Sequence, residues 1–268
     1  MDILLHSFYN HFPNHKPQNG VPYIECYNDV FIMREEIKPH SIALLIEPRS
    51  IIPEVYDFVE KNNKLFDYVY THDTRLIDRI DNGRLIFWGT VCDYGNNGGM
   101  YGDMPKTKNI SFVSSNKKMC VLHEARMKLA FELQDRIDCM GTYNGGKFVG
   151  NADIYGEYRF SVAFENYISD FWFTEKICNC FAWNTIPIYY GARRIDEIFN
   201  ADGIIRVNSV AEIARVVDYL LTGDNAEREY NSRIEAIKDN RQRVKAFENF
   251  ESWFYNKYER MGFNNADE

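Results

Sequence analysis

Thr174, Glu175 and Lys176 follow one another after an apolar stretch, and their order suits the binding of a phosphate. Thr174 can cap a helix that begins there, and the first N–H groups and positive dipole end of such a helix attract an anion. Lys176 would add a full positive charge, and Glu175 could accept hydrogen bonds from the hydroxyls of a ribose. An ordinary capped helix with a solvated lysine fits the same three residues, so the residue types alone leave both interpretations open.

Two acidic residues, Glu47 and Asp73, stand after predicted strands and are candidates for a catalytic base. Glu47 ends the apolar run 42–46 and lies close to Arg49, which would lower its basicity if the two pair. Asp73 follows the predicted strand 66–71. For each carboxylate the alternative is a helix cap or a surface charge, and the sequence gives the two residues equal weight as the base.

The elements that would position these residues are short apolar strands alternating with amphipathic helices. The first part of the chain has predicted strands at 42–46, 66–71 and 85–88 and predicted helices at 51–62 and 76–80. The later part has predicted strands at 110–114, 160–164, 186–190 and 204–207 and predicted helices at 122–136, 174–183 and 211–221. This alternation predicts parallel βαβ units, which bind ligands beyond the carboxyl ends of their strands.

A change of composition separates the two parts. Residues 93–108 are rich in glycine, asparagine and charge and have no periodicity, which predicts a linker or a long functional loop. We therefore predict an α/β protein with two Rossmann-like domains, 1–105 and 106–240, and a charged helical tail at 241–268.

The overall composition is that of an ordinary soluble globular protein, with 268 residues, 45% of them hydrophobic, and a net charge of −8. A general nucleic-acid binder needs a basic footprint, so we expect no nucleic-acid partner. No apolar run approaches the roughly 18 residues of a membrane span, and the first six residues, which have neither a basic region nor a long apolar one, lead us to expect no secretory signal. The six cysteines show no metal-binding spacing, so we expect reduced thiols and a cytoplasmic location.

Several known motifs are incomplete in this sequence. Residues 141–148 nearly match a phosphate-binding P-loop, but Phe148 replaces the Ser or Thr that would bind Mg²⁺. A flexible turn is the simpler interpretation, and this loop is the only support for a nucleotide-dependent kinase. No GxGxxG follows a strand, and no nucleophile motif of Ser or Cys occurs. The spacing of His6, His11 and His15 matches no metal template, so we predict no metal site.

The stretch from Tyr158 to Gly191 resembles the signature of glycosyltransferase family 10, the α-1,3-fucosyltransferases. That signature reads approximately Y-[KR]-F-x-[LI]-[AC]-F-E-N, a short insert, [VI]-T-E-K and then P-[IV]-x-x-G. The matching residues are Tyr158, Arg159, Phe160, Ala163, Phe164, Glu165, Asn166, Thr174, Glu175, Lys176, Pro187, Ile188 and Gly191. Weaker similarity covers residues 111–116 with Arg126, and residues 42–48 with Glu47 at the position of the family's base. The compact chain looks like the soluble bacterial or viral members of the family.

The resemblance implies a GT-B fold, in which two Rossmann-like domains face each other across a cleft. Domain 1–105 would lie on the acceptor side, and domain 106–240 would bind the nucleotide-sugar donor. The implied activity is inverting transfer of a sugar from a nucleoside-diphosphate donor, GDP-fucose, to a saccharide hydroxyl. The nucleotide sugar would be a co-substrate, and no metal would be required because side-chain cations can stabilise the leaving diphosphate.

The resemblance also implies roles for single residues. Lys176 and Arg126 would hold the diphosphate, and Glu175 would hold the ribose. Asn166 and Trp172 would lie near the phosphates, with Trp172 in the place of the family's usual tyrosine. Two further arginines that border strands of the donor half are candidates for phosphate or sugar contacts, with structural pairing as the alternative: Arg159 and Arg206.

Other readings of the function remain open from the sequence. The same fold could use another donor such as UDP-xylose, or it could be a non-catalytic module that binds a saccharide or a partner protein. Several aromatic residues could stack on an acceptor sugar, although core packing is the default interpretation for each of them. They are Phe8, Tyr9, Phe12, Trp88 and Tyr94.

Overall fold

The computed structural model describes residues 2–93 and 99–258, which form two compact units. Within the described residues, the first unit contains 2–88, 170–172 and 249–258. The second unit contains 89–93, 99–169 and 173–248. The chain therefore returns to the first unit twice, once for three residues and once for its last described helix.

The strands and helices of the described residues follow each other as the sequence predicts, with additional short elements. The strands are β1 (Asp2–His6), β2 (Tyr23–Asn28), β3 (Ser41–Leu45), β4 (Tyr68–Thr71), β5 (Gly83–Leu85), β6 (Lys108–Val113), β7 (Asp138–Met140), β8 (Tyr158–Phe164), β9 (Ile186–Tyr190) and β10 (Ile205–Arg206). The α-helices are α1 (Phe31–Arg34), α2 (Pro53–Asn62), α3 (Thr74–Ile77), α4 (Val121–Leu133), α5 (Glu175–Ala182), α6 (Val210–Leu220), α7 (Asn225–Ser232), α8 (Ile234–Arg243) and α9 (Phe250–Tyr258). A π-helical turn covers Ala152–Gly156. Across 2–93 and 99–258, no helix has both the length and the apolar character needed to cross a lipid bilayer.

The first unit is built on five parallel strands in the order β1-β2-β3-β4-β5. Side chains alternate between the two faces of a strand, and β3 is apolar on both. Ala43 and Leu45 belong to the core that includes residues of α1, α2 and α3, whereas Ile42 and Leu44 belong to a separate core cluster. A strand buried on both faces is a continuous apolar run, which is why the sequence predicts β3 to within one residue.

Helix α9 covers the second face of this sheet. Phe250, Phe254 and Tyr258 recur at every fourth position and therefore share one face of the helix. They form one core cluster with Phe12 and Ile42. The end of the predicted tail 241–268 is thus part of the first unit as far as residue 258. The helical pattern of the tail is visible in the sequence, but its packing partner is not.

The second unit also contains five parallel strands, in the order β10-β9-β8-β6-β7. β8 lies in the middle, where Val162 pairs with Phe112 on β6 and with Ile188 on β9. Helix α4 connects β6 to β7, and helix α5 connects β8 to β9. This arrangement places the starts of both helices after strand ends, at the carboxyl edge of the sheet.

The two units divide between Trp88 and Gly89, upstream of the boundary that we predict at residue 105. The N–H of Cys92 donates to Oδ1 of Asn179 at 2.9 Å, and Nδ2 of Asn151 donates to the Cys92 carbonyl at 2.6 Å. Nη1 of Arg241 donates to the Gly102 carbonyl at 2.7 Å. These hydrogen bonds attach the described parts of the glycine-rich stretch to the second unit, and residues 94–98 of that stretch lie outside the described residues.

Candidate functional site

A cavity of about 360 Å³ lies at the carboxyl edge of the second sheet. Its walls come from the segments that follow β6, β7 and β8, from the first turns of α4 and α5, and from the π-helical turn. The lining residues are Val113, Ser114, Ser115, Asn116, Lys117, His123, Arg126, Gly141, Thr142, Phe148, Val149, Ile154, Tyr155, Asn166, Glu175 and Lys176. Of the residues predicted to bind the donor, four therefore line this cavity: Arg126, Asn166, Glu175 and Lys176.

The start of α5 is fixed by a buried carboxylate. Glu165 follows β8, is fully buried, and accepts hydrogen bonds from the N–H of Thr174 at 2.9 Å and from its hydroxyl at 2.8 Å. Thr174 is the N-cap of α5 and accepts a hydrogen bond from the N–H of Lys176 at 3.4 Å. The predicted cap is therefore confirmed. Sequence reasoning does not assign this function to Glu165, although the residue lies inside the family signature.

Lys176 is held by these same groups at the wall of the cavity. Its Nζ lies 2.9 Å from the Thr174 hydroxyl, 3.2 Å from Oε1 of Glu175 and 3.4 Å from Oε2 of Glu165. Burial opposes the charged form of Lys176, but the two carboxylates outweigh it and raise the lysine pKa. Burial also raises the pKa of Glu165. Lys176 is consequently a fixed cation, 21% exposed, rather than a solvated surface lysine.

Arg126 and His123 reach the cavity from consecutive turns of α4. Arg126 is buried, and its Nη1 donates to the Phe164 carbonyl at the end of β8, at 3.2 Å. His123 is 4% exposed, and its Nδ1 lies 3.4 Å from Sγ of Cys120. Burial first, and then the charges of Arg126, Lys117 and Lys176, lower the pKa of His123 to about 4. Sequence reasoning missed His123 because a histidine inside a helix has no distinguishing pattern.

The glycine-rich loop 141–148 follows β7 and borders the cavity without forming a P-loop. Gly141 has φ +100°, and a Cβ there would lie 2.3 Å from the Ser114 carbonyl oxygen, so only glycine fits. The loop leads into the π-helical turn rather than into an α-helix, so it lacks the helix N-terminus that a P-loop requires. Phe148 lines the cavity and is 65% exposed.

Two predicted arginines do not line this cavity. Arg159 stands at the amino end of β8, where its Nη1 donates to Oδ1 of Asn109 at 3.2 Å, so it lies at the opposite edge of the sheet. Arg206, at the end of β10, forms an ion pair with Asp196 at 3.2 Å and donates to the Arg193 carbonyl. Both arginines therefore make structural contacts, which is the alternative given for them. A position beside a strand does not show from sequence alone at which edge of the sheet the side chain lies.

Trp172 belongs to the first unit and does not line the cavity either. It is 3% exposed, and its ring lies 4.5 Å from that of His72, between β4 and α3. Burial lowers the pKa of His72 to about 4. The placement near the phosphates that the family signature implies for Trp172 stays a prediction, since this residue lies in the first unit and outside the lining of the cavity. Residues 170–172 belong to the first unit, so the Trp172 side chain packs there.

In the first unit, Asp73 has a structural function. It is buried, and its Oδ1 accepts hydrogen bonds from the N–H groups of Arg75 at 3.0 Å and Leu76 at 3.3 Å, which makes it the N-cap of α3. Its Oδ2 accepts a hydrogen bond from Nε of Arg49 at 3.1 Å. The helix-cap alternative therefore describes Asp73. The sequence leaves open a pairing of Arg49 with Glu47, and the structure pairs Arg49 with Asp73.

Glu47 is half-buried after β3, and its backbone is fixed by Asp29. Oδ1 of Asp29 accepts hydrogen bonds from the N–H groups of Ile46 at 2.8 Å and Glu47 at 3.1 Å. Burial is the main reason that the pKa of Asp29 rises to about 7, and the charge of Glu47 adds to it. Asp29 follows β2, a strand that is not predicted from the sequence. No predicted strand end therefore marks Asp29 as a candidate residue.

A second cavity in the first unit lies beside β1 and the loop that follows it. Phe8 and Tyr9 line it and are 68% and 71% exposed, whereas Phe12 is buried and Trp88 is half-buried. Of the five predicted sugar-stacking residues, Phe8 and Tyr9 are exposed, with the Arg34 guanidinium 5.4 Å over the ring of Phe8, and Tyr94 lies outside the described residues. Among residues 2–93 and 99–258, no group of three or more His, Cys, Asp and Glu side chains is placed to hold a metal ion.

Comparison with known proteins gives one family and several related structures. Residues 104–254 match the model of glycosyltransferase family 10 (fucosyltransferase), carboxyl-terminal part. The alpha-(1,3)-fucosyltransferase FucT of Helicobacter pylori is 28% identical over 119 residues, which are 41% of this chain. That match spans only 23% of the Helicobacter pylori protein.

Two solved structures share the fold. An alpha1,3-fucosyltransferase with GDP matches with a TM-score of 0.56 at 16% identity, over 93% of this chain and 81% of that one. An alpha1,3-fucosyltransferase with GDP-fucose matches with a TM-score of 0.51 at 17% identity, over 84% and 72% of the two chains. These matches extend over both units and confirm the predicted GT-B class, with two Rossmann-like α/β domains. Because the family model covers more than half of its residues, including the lining of the cavity from Arg126 to Lys176, the chain belongs to glycosyltransferase family 10.

Proposed function

We propose that the protein is an inverting glycosyltransferase that moves fucose from GDP-fucose to a hydroxyl of a saccharide. The observation that carries this proposal is the cavity of the second unit, where Lys117, Arg126 and Lys176 bring positive charge together in a chain of net charge −8. Such a cluster suits a diphosphate, whose charge lies on phosphate oxygens. Family membership and the similar structures that contain GDP and GDP-fucose support this donor.

The proposed chemistry depends on stabilising the nucleoside diphosphate as it leaves. Positive charge fixed beside the diphosphate lowers the barrier to its departure. Lys176 and Arg126 would supply that charge, and the arginine fork can bind two phosphate oxygens at once. Glu165 keeps Lys176 charged and in place, with 3.4 Å between its carboxylate and Nζ. Because side chains supply the charge, we propose that no metal ion is required.

Glu47 is the proposed general base, since Asp73 is occupied by the cap of α3 and by Arg49. The base takes the proton of the acceptor hydroxyl while the hydroxyl oxygen attacks the anomeric carbon. The bond to the diphosphate breaks on the opposite side, so the sugar changes its anomeric configuration. The first unit would then serve the acceptor and the second unit the donor. Phe8 and Tyr9 are exposed aromatic side chains that would contact an acceptor sugar.

A cytoplasmic location is part of the proposal because the six cysteines are free thiols in the structure. The acidic net charge of −8 likewise supports the absence of a nucleic-acid partner.

The first test is a thermal-shift panel with GDP, UDP, GDP-fucose and UDP-xylose, each measured with and without EDTA. A ligand that binds the folded state raises the melting temperature by mass action. GDP and GDP-fucose should stabilise the wild type, and EDTA should not change the shift. Lys176→Ala should remove most of it, because a hydrogen bond to a charged group contributes about 1.5–3 kcal/mol. Lys128→Ala is the matched control, since Lys128 is 80% exposed and does not line the cavity.

The outcomes separate the alternatives left open by the sequence. Stabilisation by the uridine nucleotides alone would replace GDP-fucose by another donor such as UDP-xylose. Binding of GDP-fucose without transfer to any saccharide would indicate a non-catalytic binding module. Transfer with an unchanged anomeric configuration, read from the proton coupling constant of the product, would refute inversion. No shift with any of the four ligands would refute the donor site itself.

A further inference from the structure

His123 stands at the wall of the cationic cavity, in the first turn of α4. The residue is 4% exposed and lines the cavity, so a ligand in the cavity would lie beside it. Nδ1 of the imidazole lies 3.4 Å from Sγ of Cys120. This contact leaves Nε2 as the ring nitrogen available to a ligand. The proposed mechanism assigns no function to this histidine.

The charged groups around His123 come from four parts of the second unit. On α4 it is Arg126, and the loop before α4 contributes Lys117. The start of α5 contributes Glu175 and Lys176, which line the same cavity. Behind them, after β8, lies the buried carboxylate Glu165, whose nearest cation is Lys176.

This balance of charges keeps the imidazole neutral while the cavity is empty. Burial and the three neighbouring cations lower the pKa of His123 to about 4. At pH 6 or above the imidazole is therefore neutral and carries a proton on one of its two nitrogens. The two carboxylates Glu165 and Glu175 pair with Lys176. An entering diphosphate would bring two negative charges among Lys117, Arg126 and Lys176 and reverse the local field.

We propose that His123 takes up a proton from solvent when the nucleoside-diphosphate sugar enters this cavity, and that the imidazolium then donates a hydrogen bond from Nε2 to the diphosphate. This inference rests on the proposed function, since it requires a diphosphate in the cavity. It adds a third phosphate contact to Lys176 and Arg126. It also makes donor binding dependent on pH through a single group of the protein.

The direction of that dependence follows from linkage between proton binding and ligand binding. Opposite charges within about 4–6 Å raise a histidine pKa by about 1 to 3. A rise at the upper end of this range would bring the lowered pKa of His123 into the pH range over which binding is measured. Donor binding should then be about two- to tenfold tighter at pH 6.0 than at pH 8.0. About 0.5 to 0.9 proton should be taken up for each donor bound at pH 6.0.

Titration calorimetry with GDP-fucose and with UDP-xylose tests this inference directly. Nucleotide sugars are suitable probes because their phosphates are fully substituted and do not titrate between pH 6 and 8, unlike the terminal phosphate of GDP. The binding enthalpy at pH 6.0 is measured in MES and in Bis-Tris, whose ionisation enthalpies differ. The dependence of the enthalpy on the buffer then gives the number of protons taken up. The dissociation constant is measured in parallel from pH 6.0 to 8.0.

Two variants assign the proton to one residue. His123→Gln keeps a neutral hydrogen-bonding side chain and should abolish the proton uptake, while donor binding at pH 8.0 changes by less than about threefold. His11→Gln is the matched control, because burial also lowers the pKa of His11 to about 4, but His11 belongs to the first unit. This control should take up as many protons as the wild type.

Each result supports or overturns the inference. Donor binding without proton uptake by the wild type would overturn it and leave the proposed function standing. Uptake that persists in His123→Gln would overturn it as well. If His123→Gln does not fold, the pH dependence of the wild-type dissociation constant alone decides, since a flat profile contradicts the inference. No binding of either nucleotide sugar would refute the proposed function and this inference together.

Discussion

Both units carry charged side chains where their parallel strands end, but the two sets of charges are engaged differently. In the second unit, Lys117, Arg126 and Lys176 converge on one cavity from a loop and two helices, and all three line its wall. In the first unit, Asp29 and Asp73 accept hydrogen bonds from backbone N–H groups. The cations of the second unit therefore surround a cavity, whereas the aspartates of the first unit fix the backbone.

This difference shows what a charge at the end of a strand can do. Both carboxylate oxygens of Asp73 accept hydrogen bonds, from two backbone N–H groups and from Arg49, so this side chain is committed to the local structure. A cation on a cavity wall keeps its charge available for an anion. Of the first unit's two predicted bases, Glu47 is therefore the one that we assign to chemistry, and Asp73 is assigned to the capping of α3.

The largest expected effect separates these two carboxylates. Glu47→Gln should lower kcat by about 10²- to 10⁴-fold, because it removes the general base, and should leave GDP-fucose affinity unchanged. Asp73→Asn should keep kcat within about tenfold of the wild type, since asparagine caps a helix as well as aspartate does. Initial-rate kinetics with saturating donor, together with the melting temperature of each variant, check both statements. A well-folded Asp73→Asn protein without activity would exchange the two assignments.

The residues that sequence reasoning placed correctly are those whose task is local. Thr174, Glu175 and Lys176 are adjacent in the chain, and a helix start needs no distant partner to be recognised. β3 and β9 are buried apolar runs, and their limits are predicted to within one residue. The family signature added Arg126, whose position in the middle of a helix indicates nothing by itself.

The features that the sequence does not reveal depend on tertiary packing. β1 and β2 are only partly buried, so they lack the continuous apolar run that identifies β3. Asp29 consequently had no strand end to mark it. Trp172 lies within the family signature, yet it packs against His72 in the other unit. Neither the crossing of the chain at 170–172 nor the packing of α9 on the first sheet has a local pattern.

The second-largest expected effect distinguishes the three predicted arginines by their contribution to donor binding. Arg126→Lys should raise the dissociation constant of GDP-fucose by about 10- to 100-fold, because lysine cannot make the two-pronged contact to phosphate. Arg159→Lys and Arg206→Lys should change it by less than about twofold, since both side chains take part in contacts away from the cavity. Calorimetry at one pH measures all three. Equal losses in the three variants would contradict the assignment of the cavity as the donor site.

The smallest expected effect concerns Asp29, whose carboxylate fixes the backbone of Glu47. Its pKa rises from 3.8 to about 7 on folding, mainly because of burial, so the folded state binds this proton more tightly than the unfolded chain. The stabilisation from that proton is complete below pH 3.8 and is lost as the pH rises to about 7. Asparagine accepts the same two hydrogen bonds and does not titrate. The melting temperature of Asp29→Asn should therefore rise relative to the wild type between pH 4.5 and 7.5.

The free-energy change behind this effect has an upper limit of about 4 kcal/mol, because a difference of one in pKa corresponds to about 1.4 kcal/mol. Asp57→Asn is the matched control, since Asp57 is 66% exposed and should show the same pH dependence as the wild type. Melting curves at five pH values from 4.5 to 7.5 are sufficient to measure the difference. A constant gap between Asp29→Asn and the wild type would show that Asp29 is charged throughout. Asp29 and Asp73 would then have the same function, which is to accept hydrogen bonds from backbone N–H groups. Glu47 would differ from both as the proposed general base.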